Sequence, residues 1–184
     1  MAKTALVILD MLNDFVDGTL ANPAATPIID PIADLIERAR AKSDWVVVYA
    51  NDAHQENDLE FKVFGEHAVA GTEGAAVVPA LVEAKGDIVV PKRFYSAFTQ
   101  TDLDATCDVH DITRMVIVGQ HTNCCCRHTS YDAYLRGIDI AVVSDGTCVF
   151  EPMVGDQYDR VQSDALSYLQ TFYKADVLDA SSVM

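Results

Sequence analysis

Three groups of residues in this chain have the types and spacing to do chemistry. The first is Gly119-Gln120-His121-Thr122-Asn123-Cys124-Cys125-Cys126, which joins an apolar run to a helical pattern and so sets a cysteine in a helix's first turn. There the helix dipole and free N–H groups lower a thiol pKa and can hold an oxyanion. Position leaves the three cysteines undistinguished. The second group is Asp10 and Lys92, each at the end of an apolar run. An Asp can take a thiol proton and return it to a leaving group, while a neighbouring Lys holds negative charge in place. Asp14 competes with Asp10 for the role of base. The third group is Asp52-Ala53-His54, with Glu60 and His67 further on. Asp52 and His54 alternate at the end of an extended run, so both can face one way. Two imidazoles with one or two carboxylates suit Zn²⁺, Mn²⁺ or Fe²⁺ and leave positions open for water or substrate. His110, in an acidic stretch, and His128, within a helical pattern, read as structural or exposed.

The elements that must position these groups are legible as alternating apolar runs and helical patterns. Ala5–Leu9, Trp45–Ala50, Ile88–Val90, Met115–Val118 and Ile138–Val143 are nearly continuous and largely β-branched, as strands covered on both faces are. Asp30-Pro31 predicts an N-cap with Pro at the first helical position, followed by Ile32, Leu35, Ile36 and Ala39 at helical spacing. A second helix is expected from about Cys125 to a C′ glycine at Gly137, and a third from Gln157 to Tyr168. This alternation predicts an α/β chain over residues 1–184 as one domain: a three-layer, mostly parallel sheet with helices on both faces. Ligands of such sheets sit beyond the carboxyl ends of the strands. Asp10, Asp52, Lys92 and the Gly119 loop all fall there.

The 184 residues carry 13 Lys+Arg against 28 Asp+Glu, a net charge of −15, which excludes a general nucleic-acid binder. No segment reaches the roughly 20 apolar residues that span a bilayer, so no membrane role is expected. The five cysteines, three of them consecutive, do not form a secreted disulfide framework. A cytoplasmic protein with free thiols is expected.

In three places the chain resembles the isochorismatase-like cysteine hydrolases, and the nicotinamidases among them. Leu6-Val7-Ile8-Leu9-Asp10-Met11-Leu12-Asn13-Asp14-Phe15 is similar to the family's opening segment, with Leu12 where many members carry Gln. Pro91-Lys92-Arg93-Phe94-Tyr95-Ser96-Ala97-Phe98 is similar to its Lys segment. Gly119-x-x-Thr122-x-x-Cys125-x-x-x-Thr129 is similar to its nucleophile loop, a register that selects Cys125. The resemblance implies Asp10 as base, Lys92 as its charged partner and Cys125 as nucleophile. It also implies an oxyanion hole from the backbone N–H groups of His121 and Cys125, with a cis Gln120–His121 peptide. His121 departs from the small residue usual there.

Asp52-x-His54 together with Glu66-His67-Ala68-Val69-Ala70-Gly71-Thr72 resembles the nicotinamidase metal loop, with Glu60 at the spacing of a fourth ligand. Phe15, Phe64 and Tyr95 are implied as pocket walls, Phe64 standing where relatives often have Trp. The implied activity is metal-assisted hydrolysis of nicotinamide to nicotinate and ammonia through a thioester. Another small amide or a vinyl ether is the nearest alternative substrate. A non-catalytic metal- or thiol-binding protein fits less well, because consecutive cysteines lack chelate spacing. Family members are commonly oligomeric. The apolar stretch Leu166, Tyr168, Leu169, Phe172 and Tyr173 can either pack on the sheet or join a second copy.

Overall fold

The computed structural model of the protein describes residues 2–184. Six strands form one parallel sheet in the order β3-β2-β1-β4-β5-β6. They are β1 (Lys3–Leu9), β2 (Trp45–Asp52), β3 (Ile88–Lys92), β4 (Ile112–Gln120), β5 (Asp139–Cys148) and β6 (Asp176–Leu178). Because successive side chains on a strand point to opposite faces, each central strand feeds two cores. Ala5, Val7 and Leu9 pack with the helices Leu103–His110, Arg127–Leu135 and Tyr158–Tyr173 on one face. Leu6 and Ile8 pack on the other against Ile32, Leu35, Ile36 and Ala39 of the helix Ile29–Arg40. These layers are the expected three. No helix among the described residues is long and apolar enough to cross a membrane.

Three local expectations need correction. The first long helix begins at Ile29, so Asp30 lies within its first turn and Ile28 takes the cap position without a side-chain cap bond. A sixth strand, β6, and the helix Leu103–His110 lie outside the expected elements. The last helix continues to Tyr173 because the chain reverses only where Lys174 adopts a left-handed conformation. Leu169 packs fully buried against the sheet, while Phe172 is exposed. Gly137, with φ +69°, follows the helix Arg127–Leu135 as the C′ residue.

The chain builds β1, β2 and β3 outward in one direction, then returns to lay β4 on the other side of β1. The connections on the two sides diverge there and leave a crevice at the carboxyl ends of β1 and β4. Its floor depends on Gly119, whose φ is +104° and whose Cα lies beside Leu9. A Cβ there would stand 2.0 Å from the Leu9 carbonyl oxygen. β3 closes one edge of the sheet. Its Lys92 carbonyl accepts the Ala53 N–H, so Lys92 faces β2 and Pro91 turns to the open side. Gly119→Ala should lower stability by about 2–4 kcal/mol, from the strained dihedral and the backbone clash together. Urea denaturation followed by circular dichroism measures that loss.

Candidate active site

At the crevice, β1, β2 and β3 deliver Asp10, Asp52 and Lys92 into one buried cluster. The Lys92 ammonium lies 2.8 Å from Asp10 Oδ2 and 2.5 Å from Asp52 Oδ1, with all three side chains essentially inaccessible. Asp10 Oδ1 accepts the Asp52 N–H at 2.8 Å, and the Asp10 N–H donates to Asn51 Oδ1 at 2.9 Å. These two bonds hold Asp10 in the left-handed region, φ +54°, where a non-glycine residue is strained. Burial, and next the charge of Asp52, push the Asp10 carboxyl up to about 7, against the pull of Lys92. Burial would lower the Lys92 pKa, but Asp10 and Asp52 outweigh it and keep the amine charged.

The three cysteines separate once β4 ends. Thr122–Cys126 forms a wide π-type turn ahead of the helix Arg127–Leu135, and the Cys124 and Cys126 N–H groups both donate to the His121 carbonyl. Cys126 is buried in the core beneath the sheet, and Cys124 is half-buried at the cavity wall. Cys125 points inward, with its sulfur 3.7 Å from Lys92 Nζ. The expected lowering of its pKa does not hold. A hydrogen bond with Cys124 and burial raise the Cys125 thiol well above the ordinary range, so it keeps its proton until a base removes it. The Gln120–His121 peptide is cis. Gln120 Nε2 donates to the Asp10 and Phe15 carbonyls, and Gln120 Oε1 accepts from Asn22. This buried amide ties the end of β4 to the end of β1.

Asp52, His54, Glu60 and His67 bring four ligand atoms within 4.8 Å of one another. Asp52 Oδ2, His54 Nε2 and His67 Nε2 are buried without hydrogen-bond partners. Both imidazoles spend their other nitrogen on a nearby oxygen: His54 Nδ1 lies 2.9 Å from Asp58 Oδ2, and His67 Nδ1 lies 2.8 Å from the Gly65 carbonyl. That arrangement makes Nδ1 the donor and leaves the Nε2 lone pairs facing the shared centre, as in a histidine metal site. The residues therefore fit a divalent ion.

Sequence reading missed the support that Asp58 gives this group and offered Asp14 another role. Asp58 orients His54 and is itself held by a two-pronged contact with Arg93. Asp14 lies outside the Lys92 cluster. It accepts the Ala68 N–H at 2.8 Å and the Thr19 N–H at 3.2 Å, pinning the loop that carries His67. A Cβ on Gly74 would strike the Asp14 carboxylate at 2.2 Å, so Asp14 and Gly74 fit each other closely. Asp14 is thereby removed as a rival base.

A narrow cavity joins the two clusters and is lined by Asp10, Phe15, Leu20, Asp52, Glu60, Phe64, His121, Cys124 and Cys125. Phe15 and Phe64 are walls as expected, and Leu20 joins them. Tyr95 is displaced. It lines the adjoining groove with Arg93, Ser96 and His128, its ring 5.3 Å from the His128 ring. His128 is exposed on its helix and its Nδ1 meets the Cys124 carbonyl, and His110 ends the helix Leu103–His110. Ser96 bonds Asp132 and Thr129 Oγ1 accepts the Ala97 N–H, so these residues clamp the Lys92 segment to the helix Arg127–Leu135.

A buried acid, amine and thiol thus come together at the parallel sheet's switch point. The chain belongs to the isochorismatase family, whose domain profile matches residues 4–165. An N-carbamoylsarcosine amidase from Thermoplasma acidophilum superposes with a TM-score of 0.88 at 33% identity, over 98% of each chain. The nicotinamidase/pyrazinamidase PncA from Bacillus subtilis superposes with a TM-score of 0.84 at 29% identity, over 96% of this chain and 100% of that one. A ureidoacrylate amidohydrolase, RutB, from Methylorubrum extorquens is 30% identical, over 92% of this chain and 77% of its own.

Two variants test the supporting contacts. Asp58→Asn should weaken zinc affinity about 10–100-fold while leaving the fold intact, measured by competition with a chromophoric chelator. Lys92→Met should cost about 3–5 kcal/mol in urea denaturation, because Asp10 and Asp52 are then buried facing each other without a cation.

Proposed function

We propose that the protein hydrolyses nicotinamide to nicotinate and ammonia through a thioester on Cys125. The observation that carries this reading is the group of Asp52, His54, Glu60 and His67, three of them with unpartnered buried atoms, whose members Asp52 and Glu60 line the cavity that Cys125 also lines. A substrate with a ring nitrogen and a carboxamide can address both ends of that cavity at once. A divalent ion held by Asp52, His54, His67 and Glu60 (zinc, manganese or iron) would supply a Lewis-acidic seat for the pyridine nitrogen and so aim the carboxamide at sulfur.

Asp10, its pKa pushed up to about 7, is matched to taking a proton from the Cys125 thiol near neutrality. Lys92, in contact with both, stabilises whichever of them is charged. The thiolate adds to the amide carbon, and the backbone N–H groups of His121 and Cys125 receive the oxyanion. Asp10 passes its proton to the amide nitrogen, the C–N bond breaks and ammonia leaves. Asp10 then takes a proton from water, the resulting hydroxide adds to the thioester carbon, and the C–S bond breaks. The departing sulfur recovers the proton from Asp10, and the nicotinic acid formed loses its own proton to solvent and leaves as nicotinate.

The similarity to N-carbamoylsarcosine amidase and ureidoacrylate amidohydrolase favours a second reading, a ureido-type amide handled by the same three residues. Ammonia release from nicotinamide by zinc-loaded protein separates the two. Cys125→Ala should reduce turnover by about 10³-fold or more. EDTA treatment should abolish nicotinamide turnover as well. Turnover that survives EDTA, or that is confined to ureido amides, favours the second reading. Metal binding with no hydrolysis of either substrate class would point to the non-catalytic alternative.

A further inference from the structure

The proposed chemistry gives the His121 backbone a role and its side chain none, yet the ring lines the catalytic cavity. It is 9% exposed, and its Nε2 is buried with no hydrogen-bond partner. The ring lies between Phe15, edge-on at 5.8 Å, and Phe150, tilted at 5.0 Å, and neither can satisfy that nitrogen. The unpartnered Nε2 atoms of His54 and His67 are accounted for by the ion their cluster fits. His121 is outside that cluster. Burial pulls its pKa down to about 4, so at neutral pH the ring is an uncharged donor and acceptor. The cavity that the ring lines also holds the Cys125 thiol, so a substrate at that thiol lies beside the ring.

We propose that His121 is a specificity-determining residue whose Nε2 hydrogen-bonds a second polar atom of the substrate, placed on the ring beside the carboxamide. This rests on the proposed hydrolysis of a heteroaromatic amide. The position follows from the backbone: the residue whose N–H receives the amide oxygen carries its side chain close to that oxygen, next to the neighbouring ring position. The preferred substrate class is then a small heteroaromatic carboxamide with two hydrogen-bonding sites besides the amide. One faces the Asp52–His54–Glu60–His67 group and one faces His121. A substrate lacking the second site, nicotinamide included, leaves a buried ring nitrogen unpaired and is turned over less efficiently without being excluded.

Nicotinamide and pyrazinamide form a matched pair for the test, because pyrazinamide keeps the distal ring nitrogen and exchanges one C–H beside the carboxamide for a second nitrogen. The measurement is kcat/KM for each amide with zinc-loaded wild type, His121→Phe, His121→Ala and His121→Gln. Any intrinsic difference in reactivity cancels when the pyrazinamide/nicotinamide ratio is compared between proteins. The ratio should fall by about 10-fold in His121→Phe, which keeps an aromatic ring without nitrogen, and similarly in His121→Ala. His121→Gln, which restores an amide donor at similar reach, should recover part of it. An unchanged ratio in the Phe or Ala variant overturns the inference and leaves the proposed activity standing. Hydrolysis of neither amide by wild type overturns the proposed activity and the inference with it.

Discussion

Everything at the crevice depends on one ammonium group held between two carboxylates in the dry interior. Lys92 contacts Asp10 on one side and Asp52 on the other, and each contact alone would leave an uncompensated buried charge. Three strands must therefore end at the same height, since β1 supplies Asp10, β2 supplies Asp52 and β3 supplies Lys92. The parallel register does this: Asp52 lies opposite Lys92, and Leu9, which precedes Asp10, lies opposite Ala50. The fold is in this sense a device for bringing charges together in the absence of water.

Asp52 is where the two halves of the site meet. One carboxylate oxygen is committed to Lys92, while the other is buried without a hydrogen bond and faces His54 at 3.5 Å. A cation on that second oxygen would draw negative charge away from Asp10 and weaken the Asp52 contribution that raises the Asp10 pKa. The group that fits an ion and the Asp10–Lys92 cluster thus share a residue and are coupled electrostatically.

The frame was readable wherever burial leaves a mark on composition. β1, β2, β4 and β5 are covered on both faces, so they appear as unbroken apolar runs, and their end residues Asp10, Asp52 and the Gly119 loop follow directly. β6 has three residues, none of them fully buried, and a run that short has no period to detect. The helix Leu103–His110 buries only Leu103 and Cys107, too sparse a stripe to stand out from loop. At the site, strand ends and motif spacing pointed to Asp10, Lys92 and Cys125 and to the four candidate ligands, and the fold brings these residues together. Asp58 and Leu20 carry no such pattern, because their roles come from a turn of the chain and from side-chain packing. The raised Cys125 pKa was equally hidden: helix-terminus reasoning points downward, and only the depth of the sulfur and its neighbours reverse it.

The placing of Lys92 on the border of the sheet has a consequence for how the protein behaves among other chains. A strand with one unpaired side is a template on which foreign strands can add, and here that strand ends in the residue that balances the buried charges. Pro91 stands next to it and turns its missing N–H toward the open side, while the neighbouring Lys92 bonds inward to the loop after β2. An incoming strand finds no donor at that point, so it cannot extend pairing up to the catalytic end. One residue before its charge-balancing lysine, the chain carries a residue that interrupts strand addition at this edge.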